Sequence, residues 1–212
     1  MQFPLFVMNY LAHAYLSFND PDILAGNMIS DFVKGKKRFD YSPVIQQGIE
    51  LHRAIDEFTD HHPLTREASG VFHAVYGLYA GALTDVVYDH FVANDPLLFP
   101  PDADGGAGAL EAFAQRTYAD LAGYVTVFPD RFARMFPYMK SQDWLSNYRH
   151  REGIRSSMMG LHRRAKYMSD PQEAFVLFET HYSTLQTCYT GFFPALREYA
   201  QTTLMQLRGN TH

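Results

Sequence analysis

Three side chains of the types that bind metal ions stand four residues apart in Gly48-Ile-Glu-Leu-His-Arg-Ala-Ile-Asp-Glu-Phe-Thr-Asp60: His52, Asp56 and Asp60. That spacing stacks them on one face of a single helix. Ile49 and Ile55 supply apolar contacts on the neighbouring faces, so the helix reads as partly or wholly buried. Buried His and Asp must pair, hydrogen-bond or coordinate, because unpaired buried charge is costly. The same spacing recurs in Asn9 and His13, in Asn27 and Asp31, and in Asp85 and Asp89, with His90 adjacent. Several helices that each offer one inward polar pair are the way bundles assemble metal sites from facing side chains. Imidazole and carboxylate without thiolate suit Mn, Mg, Fe or Zn.

Each pair taken singly also fits a solvated face or a satisfied hydrogen bond in the core. Taken together they fit that reading less well, because Leu11, Ile29, Phe32, Ile55, Val86, Tyr88 and Phe91 surround them. Asp60 differs from its neighbours. It closes its helix beside His61-His62-Pro63, so it reads as a cap for the next helix or a supporting residue. His61, His62, His73, His150, His162, His181 and His212 lack a carboxylate at ligand spacing in a comparable apolar setting and read as surface or packing residues. No dinucleotide glycine motif, P-loop, nucleophile elbow or Cys-x-x-Cys occurs.

The elements that must position these side chains are helical. A short helix is expected over 9–16. Pro21 then sits at the first turn of a second, from about Asp22 to Val33, with Gly35 as terminator. Ser42-Pro43 reads as N-cap and N1 of a third helix reaching His61. Pro63 opens a helical region to Asn94, broken near Gly77 and Gly81. The stretch 95–106, rich in Pro, Asp and Gly, is the clearest loop. Helical periodicity resumes over 109–128, 131–139, 142–167 as one long helix weakened near Gly153 and Gly160, and 171–207 with a kink or break at Gly191 and Pro194. With no alternating strand run and no repeat, the expectation is an all-α single-domain helical bundle of about eight or more helices over residues 8–212. Residues 1–7, before Met8, read as an amino-terminal extension.

The bulk numbers agree. The 212 residues suit one domain or two small ones, and 47% hydrophobic content can fill a sizeable core. A net charge of -5 gives no overall case for nucleic acid. No apolar run approaches a membrane span. The single cysteine, Cys188, excludes an intrachain disulfide, reads as a small buried apolar residue, and fits a reducing cytoplasm.

In order and spacing, Asn9-Tyr-Leu-Ala-His13, Gly26-Asn-Met-Ile-Ser-Asp-Phe32, Gly48 through Asp56 with Thr59-Asp60, and Asp85-Val-Val-Tyr-Asp-His-Phe91 resemble the acyl carrier protein phosphodiesterases. A weaker echo follows in Trp144-Leu145, Tyr148-Arg149 and Gly160 through Arg164. The resemblance implies an all-helical, HD-domain-like enzyme, an atypical relative of the HD phosphohydrolases. It implies hydrolysis of the phosphodiester between 4'-phosphopantetheine and a serine of holo-acyl carrier protein, with Mn or Mg. Two departures stand out: the residues before Met8 are extra, and Tyr88 replaces an expected Trp. In addition, Asp89-His90 reverses the His-Asp order of ordinary HD enzymes.

On that basis Asp31, His52, Asp56, Asp85 and Asp89 are expected to hold the metal, with His13 and His90 as further ligands or acid–base groups. Asn9, Asn27 and Asp60 would support the ligands or touch phosphate, and Arg53 and Lys34 would neutralise the phosphoryl group. An acidic carrier protein calls for a local basic surface. Lys36, Lys37 and Arg38 form one candidate, and Arg149, Arg163 and Arg164 on the predicted long helix form another. Two other functions remain open: a phosphohydrolase for a small molecule such as a nucleotide, or a non-catalytic helical binding protein.

Overall fold

A computed structural model describes residues 10–101, 108–165 and 167–209. The expected extension over 1–7 and the candidate Asn9 lie outside the described residues. Eleven α-helices and no strand occur among them: α1 (Tyr10–Tyr15), α2 (Pro21–Ile29), α3 (Pro43–His61), α4 (Pro63–Tyr76), α5 (Ala80–Ala93), α6 (Gly108–Ala122), α7 (Asp130–Ser141), α8 (Trp144–Asn147), α9 (Arg151–Arg164), α10 (Pro171–Thr180) and α11 (Tyr182–Gly209).

Local chemistry sets most of the starts. Asp20 accepts the Asp22 and Ile23 amides ahead of α2, and Ser42 accepts the Ile45 amide ahead of α3. In both, Pro occupies the first turn, where its missing N–H leaves nothing unsatisfied. α4 is capped by the His62 side chain, which accepts the Leu64 amide; Asp60, expected in that role, lies exposed instead. The break foreseen at Gly77 is real, with φ at 51°, a conformation that favours glycine.

Residues 82–93 of α5 are buried on every side, which makes it the central helix of the bundle. α1, α4, α9 and α11 all pack on it. The closest pairing is α2 against α3, where Gly26 and Gly48 meet. A Cβ on Gly26 would lie 2.1 Å from the Ile45 carbonyl oxygen, and one on Gly48 would lie 2.3 Å from that of Ile23. Only glycine allows two helix backbones to run this near, and the residues following each glycine face one another as a result.

Several helical boundaries differ from the periodicity. α2 stops at Ile29, short of the expected Val33, so Asp31 lies in a 3-10 turn over Ser30–Phe32; α6 ends at Ala122, short of 128; and the block expected over 171–207 is divided at His181. The single helix expected over 142–167 is α8 and α9 with a turn between them. At Gly153 a Cβ would fall 1.9 Å from the Asn147 carbonyl oxygen, so α9 folds back onto the end of α8. The turn is tied to α5, because His90 Nδ1–H donates to the Tyr148 carbonyl at 2.8 Å and the Asn94 amide to that of Arg149 at 3.1 Å. α11, in contrast, runs through Gly191 and Pro194 without interruption. Gly191 there admits the Leu64 side chain, which a Cβ would meet at 2.7 Å.

Candidate metal centre

α1, α2 and α3 converge at one end of the α2–α3 contact and bring five of the predicted residues together. His13 and His52 stack with ring centroids 4.0 Å apart. His52 Nε2 lies 3.3 Å from Asp31 and 3.2 Å from Asp56, and His13 Nε2 lies 3.1 Å from the other oxygen of Asp56. One donor atom from each of His13, His52 and Asp56 falls within 4.8 Å of the others. Both histidines are buried, while Asp31 and Asp56 are partly open to solvent, with side chains 23% and 34% exposed. The centre therefore has an entry side.

Asn27 sets the state of both rings. Its NH2 donates to the His13 carbonyl at 2.9 Å and to Ser17 Oγ at 3.1 Å, while Ser17 gives its own proton to the His13 carbonyl. The amide is thereby fixed with Oδ1 toward the imidazoles, 2.7 Å from His13 Nδ1 and 3.1 Å from His52 Nδ1. A carboxamide oxygen only accepts, so each ring must carry its proton on Nδ1. Each Nε2 is then directed at the carboxylates. This is the outer-shell arrangement that orients ligating histidines.

Burial and charge oppose one another in this cluster. Burial opposes charge on His52, yet Asp56 and Asp31 outweigh it and push the ring up to about 10. Burial would likewise raise Asp56, but His52 and His13 hold it well below the usual carboxylate range. Burial and the charge of His52 keep His13 neutral. Its Nε2 lone pair then faces a carboxylate oxygen, and this buried nitrogen has no hydrogen-bond partner among the described residues. A cation between His13, His52 and Asp56 would resolve that conflict, and the donors present suit a hard or borderline divalent ion. Asp85 is buried on α5, outside that three-residue group; burial, then the charges of Asp56 and Asp60, push its carboxyl well above the ordinary value.

The remaining predicted residues lie around this core. Asp89 accepts the Leu11 and Ala12 amides at 3.1 and 2.8 Å and a hydrogen bond from Tyr148, so it anchors the first turn of α1 and with it His13. His90 is buried away from the cluster, with one nitrogen on the Tyr148 carbonyl and the other on the Tyr182 hydroxyl at 3.1 Å. Arg53 donates to the Val33 carbonyl and steadies the turn that carries Asp31. Lys34, Lys36 and Lys37 are exposed close by. Arg38 pairs with Glu50 and lies over the Phe39 ring. Asp60 sits on a groove with Thr65 and Arg66.

Four contributing residues escaped sequence reasoning. Ser17, four residues after His13, carried a signal in its spacing. Gly26 and Gly48 each precede a site segment, but nothing in a single sequence says that two glycines touch. Tyr148 stands in the weaker block of the resemblance, where nothing ties it to Asp89.

The fold and this cluster define a class: an all-helical protein with a buried imidazole–carboxylate centre able to hold a divalent cation. Relatives of the chain take this further. The chain belongs to the acyl carrier protein phosphodiesterase family, whose model matches residues 8–196, and it is therefore a phosphoric diester hydrolase. It is 32% identical over 194 residues to the acyl carrier protein phosphodiesterase of Yersinia enterocolitica, covering 92% of this chain and 98% of that one. The Salmonella paratyphi A enzyme of the same name is 31% identical over 193 residues, covering 91% and 97%. The Yersinia pestis enzyme is 31% identical over 194 residues, covering 92% and 98%. No solved structure matches the chain. No described helix is long and apolar enough to cross a membrane.

Proposed function

We propose that this chain converts holo-acyl carrier protein to its apo form at the His13–His52–Asp56 centre, releasing 4'-phosphopantetheine. The observation that carries the reading is the buried, partnerless His13 Nε2 beside Asp56, in a chain of this family. His13, His52 and Asp56, with Asp31 and Asp85, would hold the ion, and Mn or Mg suits so carboxylate-rich a set. When bound, a divalent cation supplies charge neutralisation on the phosphoryl oxygens and activation of water.

The protein's own groups do the rest. Asn27 holds both Nε2 atoms toward the centre, and Asp89 fixes the helix that carries His13. Exposed Lys34, Lys36 and Lys37 beside Asp31 form a basic approach for an acidic carrier protein. The free, buried thiol of Cys188 supports a cytoplasmic location.

The test is direct. Enzyme, Mn and holo-carrier protein are mixed and phosphopantetheine is sought by mass, with His52→Ala and Asp56→Ala as controls. Release by the wild type and its loss in both variants is the expected result. Turnover of nucleotides in place of the carrier protein, or full activity in both variants, sinks the assignment.

A further inference from the structure

α8, α9 and the turn between them wall a cleft of about 690 Å3, within the range of small-molecule sites. Its lining mixes the amides and hydroxyls of Gln142, Asn147, Ser156 and Ser157 with the Trp144 indole. Arg163 and Arg164 complete it. On the same helix Arg151 pairs with Glu179 and Arg155 with Glu152, whereas neither Arg163 nor Arg164 makes an ion pair among the described residues.

Two observations join the cleft to the centre. Tyr148, which lines it, hydrogen-bonds Asp89, the carboxylate that anchors the His13 helix. The Trp144 ring stands 6.4 Å from that of Tyr10, on α1 three residues before His13.

We propose that this cleft seats the pantetheine arm of the substrate, with Arg164 facing its phosphate. The inference rests on the holo-carrier-protein reading above. The arm is a linear chain of two amides, a hydroxyl, a gem-dimethyl carbon and a thiol. The side-chain amides and hydroxyls of the cleft match its polar groups, and Trp144 offers an apolar face to its dimethyl carbon. An arginine opposite a phosphate forms a charge-assisted, directional contact. A phosphodiesterase that grips the arm discriminates a prosthetic group from an ordinary phosphodiester, which a metal centre alone does not do.

The test uses Mn-loaded enzyme with free pantetheine, which lacks the phosphate, as the probe. Pantetheine is expected to compete with holo-carrier protein in the wild type. Ser156→Trp, which fills the cleft from an exposed helix position, should raise the KM for holo-carrier protein at least tenfold and weaken pantetheine inhibition as much. Met159→Trp, at an exposed position of the same helix outside the cleft, should leave both near their wild-type values. Arg164→Gln, a second variant less demanding on packing, should raise the KM for holo-carrier protein while leaving pantetheine inhibition in place. The inference fails if pantetheine does not inhibit the wild type, a result that depends on no variant. It also fails if apo-carrier protein competes as well as holo-carrier protein, since the arginines would then meet the protein surface. Failure of the functional reading looks different, because the wild type itself then releases no phosphopantetheine.

Discussion

Gly48→Ala provides the sharpest test of how the centre is assembled. Judged by helix propensity alone, alanine in mid-helix should stabilise by about 1 kcal/mol. The structure reverses the sign. A Cβ at this position would lie 2.3 Å from the Ile23 carbonyl oxygen and 2.9 Å from the Gly26 Cα. Ordinary contact begins at 3.4 Å, so α2 and α3 must separate by roughly 1 Å, against backbone that cannot swing aside as a side chain would. The Asn27–His52 hydrogen bond, now 3.1 Å, then stretches beyond bonding distance. Overpacking costs about 1–3 kcal/mol, and a lost hydrogen bond to a charged ring about 1.5–3 kcal/mol. Net of propensity, the loss is about 1.5–5 kcal/mol, a fall in Tm of roughly 3–20 °C for a chain of this size. Mn affinity should drop about 10- to 100-fold, as it does when outer-shell support is removed. The control is Gly70→Ala, in exposed mid-α4, where a Cβ meets nothing within 4 Å. It should raise Tm by about 2–4 °C and leave Mn binding alone. Thermal unfolding by circular dichroism and a Mn titration read both outcomes. If Gly48→Ala proved as stable as Gly70→Ala with unaltered Mn binding, the idea that this helix contact positions the ligands would be refuted.

Three further outcomes follow from the same geometry. Asn27→Ala removes the acceptor of both Nδ1–H groups and should weaken Mn binding about 10- to 100-fold while leaving far-ultraviolet circular dichroism near wild type; unchanged affinity would contradict the tautomer assignment. In metal-free protein His52 is raised from 6.5 to about 10. Its stabilising pairing with Asp56 and Asp31 is thus complete below pH 6.5 and disappears as pH climbs through the raised value, so the metal-free Tm should fall between about pH 7 and 10. Mn must displace the same proton, so its affinity should rise with pH across that window, with proton release visible in calorimetry run in two buffers; a flat affinity would count against His52 as a ligand. Finally, kcat/KM for holo-carrier protein should fall steeply with added salt and fall further in the Lys36→Gln, Lys37→Gln double variant, whereas a salt-insensitive rate would exclude that basic approach.

Much of the site is legible in the amino-acid sequence because the i, i+4 rule is a local property of the helix. Asp31 falls in the segment with Asn27, and His52 shares a face with Asp56, whatever the rest of the chain does. The same rule carries the all-α class, and residue type alone marks the cap at Ser42-Pro43. Periodicity fails where long-range contact overrides it. The stretch 142–167 has helical patterning throughout, yet Gly153 against the Asn147 carbonyl folds it into two helices. Asp89 and His90 are neighbours about 100° apart around α5, and only the surroundings of that fully buried helix decide what each one meets. Asp89 meets the amides of α1, and His90 meets the turn at Tyr148 and the Tyr182 hydroxyl.

By itself the sequence determined the fold class, the family and which side chains share a helix face, since all three follow from residue type and near-neighbour spacing. Tertiary structure alone decided which faces meet. His13 and His52 are 39 positions apart and stack at 4.0 Å because Gly26 and Gly48 let α2 and α3 touch and Asn27 bridges the rings. Those distances depend on how near two backbones can approach, a property of the pair that neither segment holds on its own.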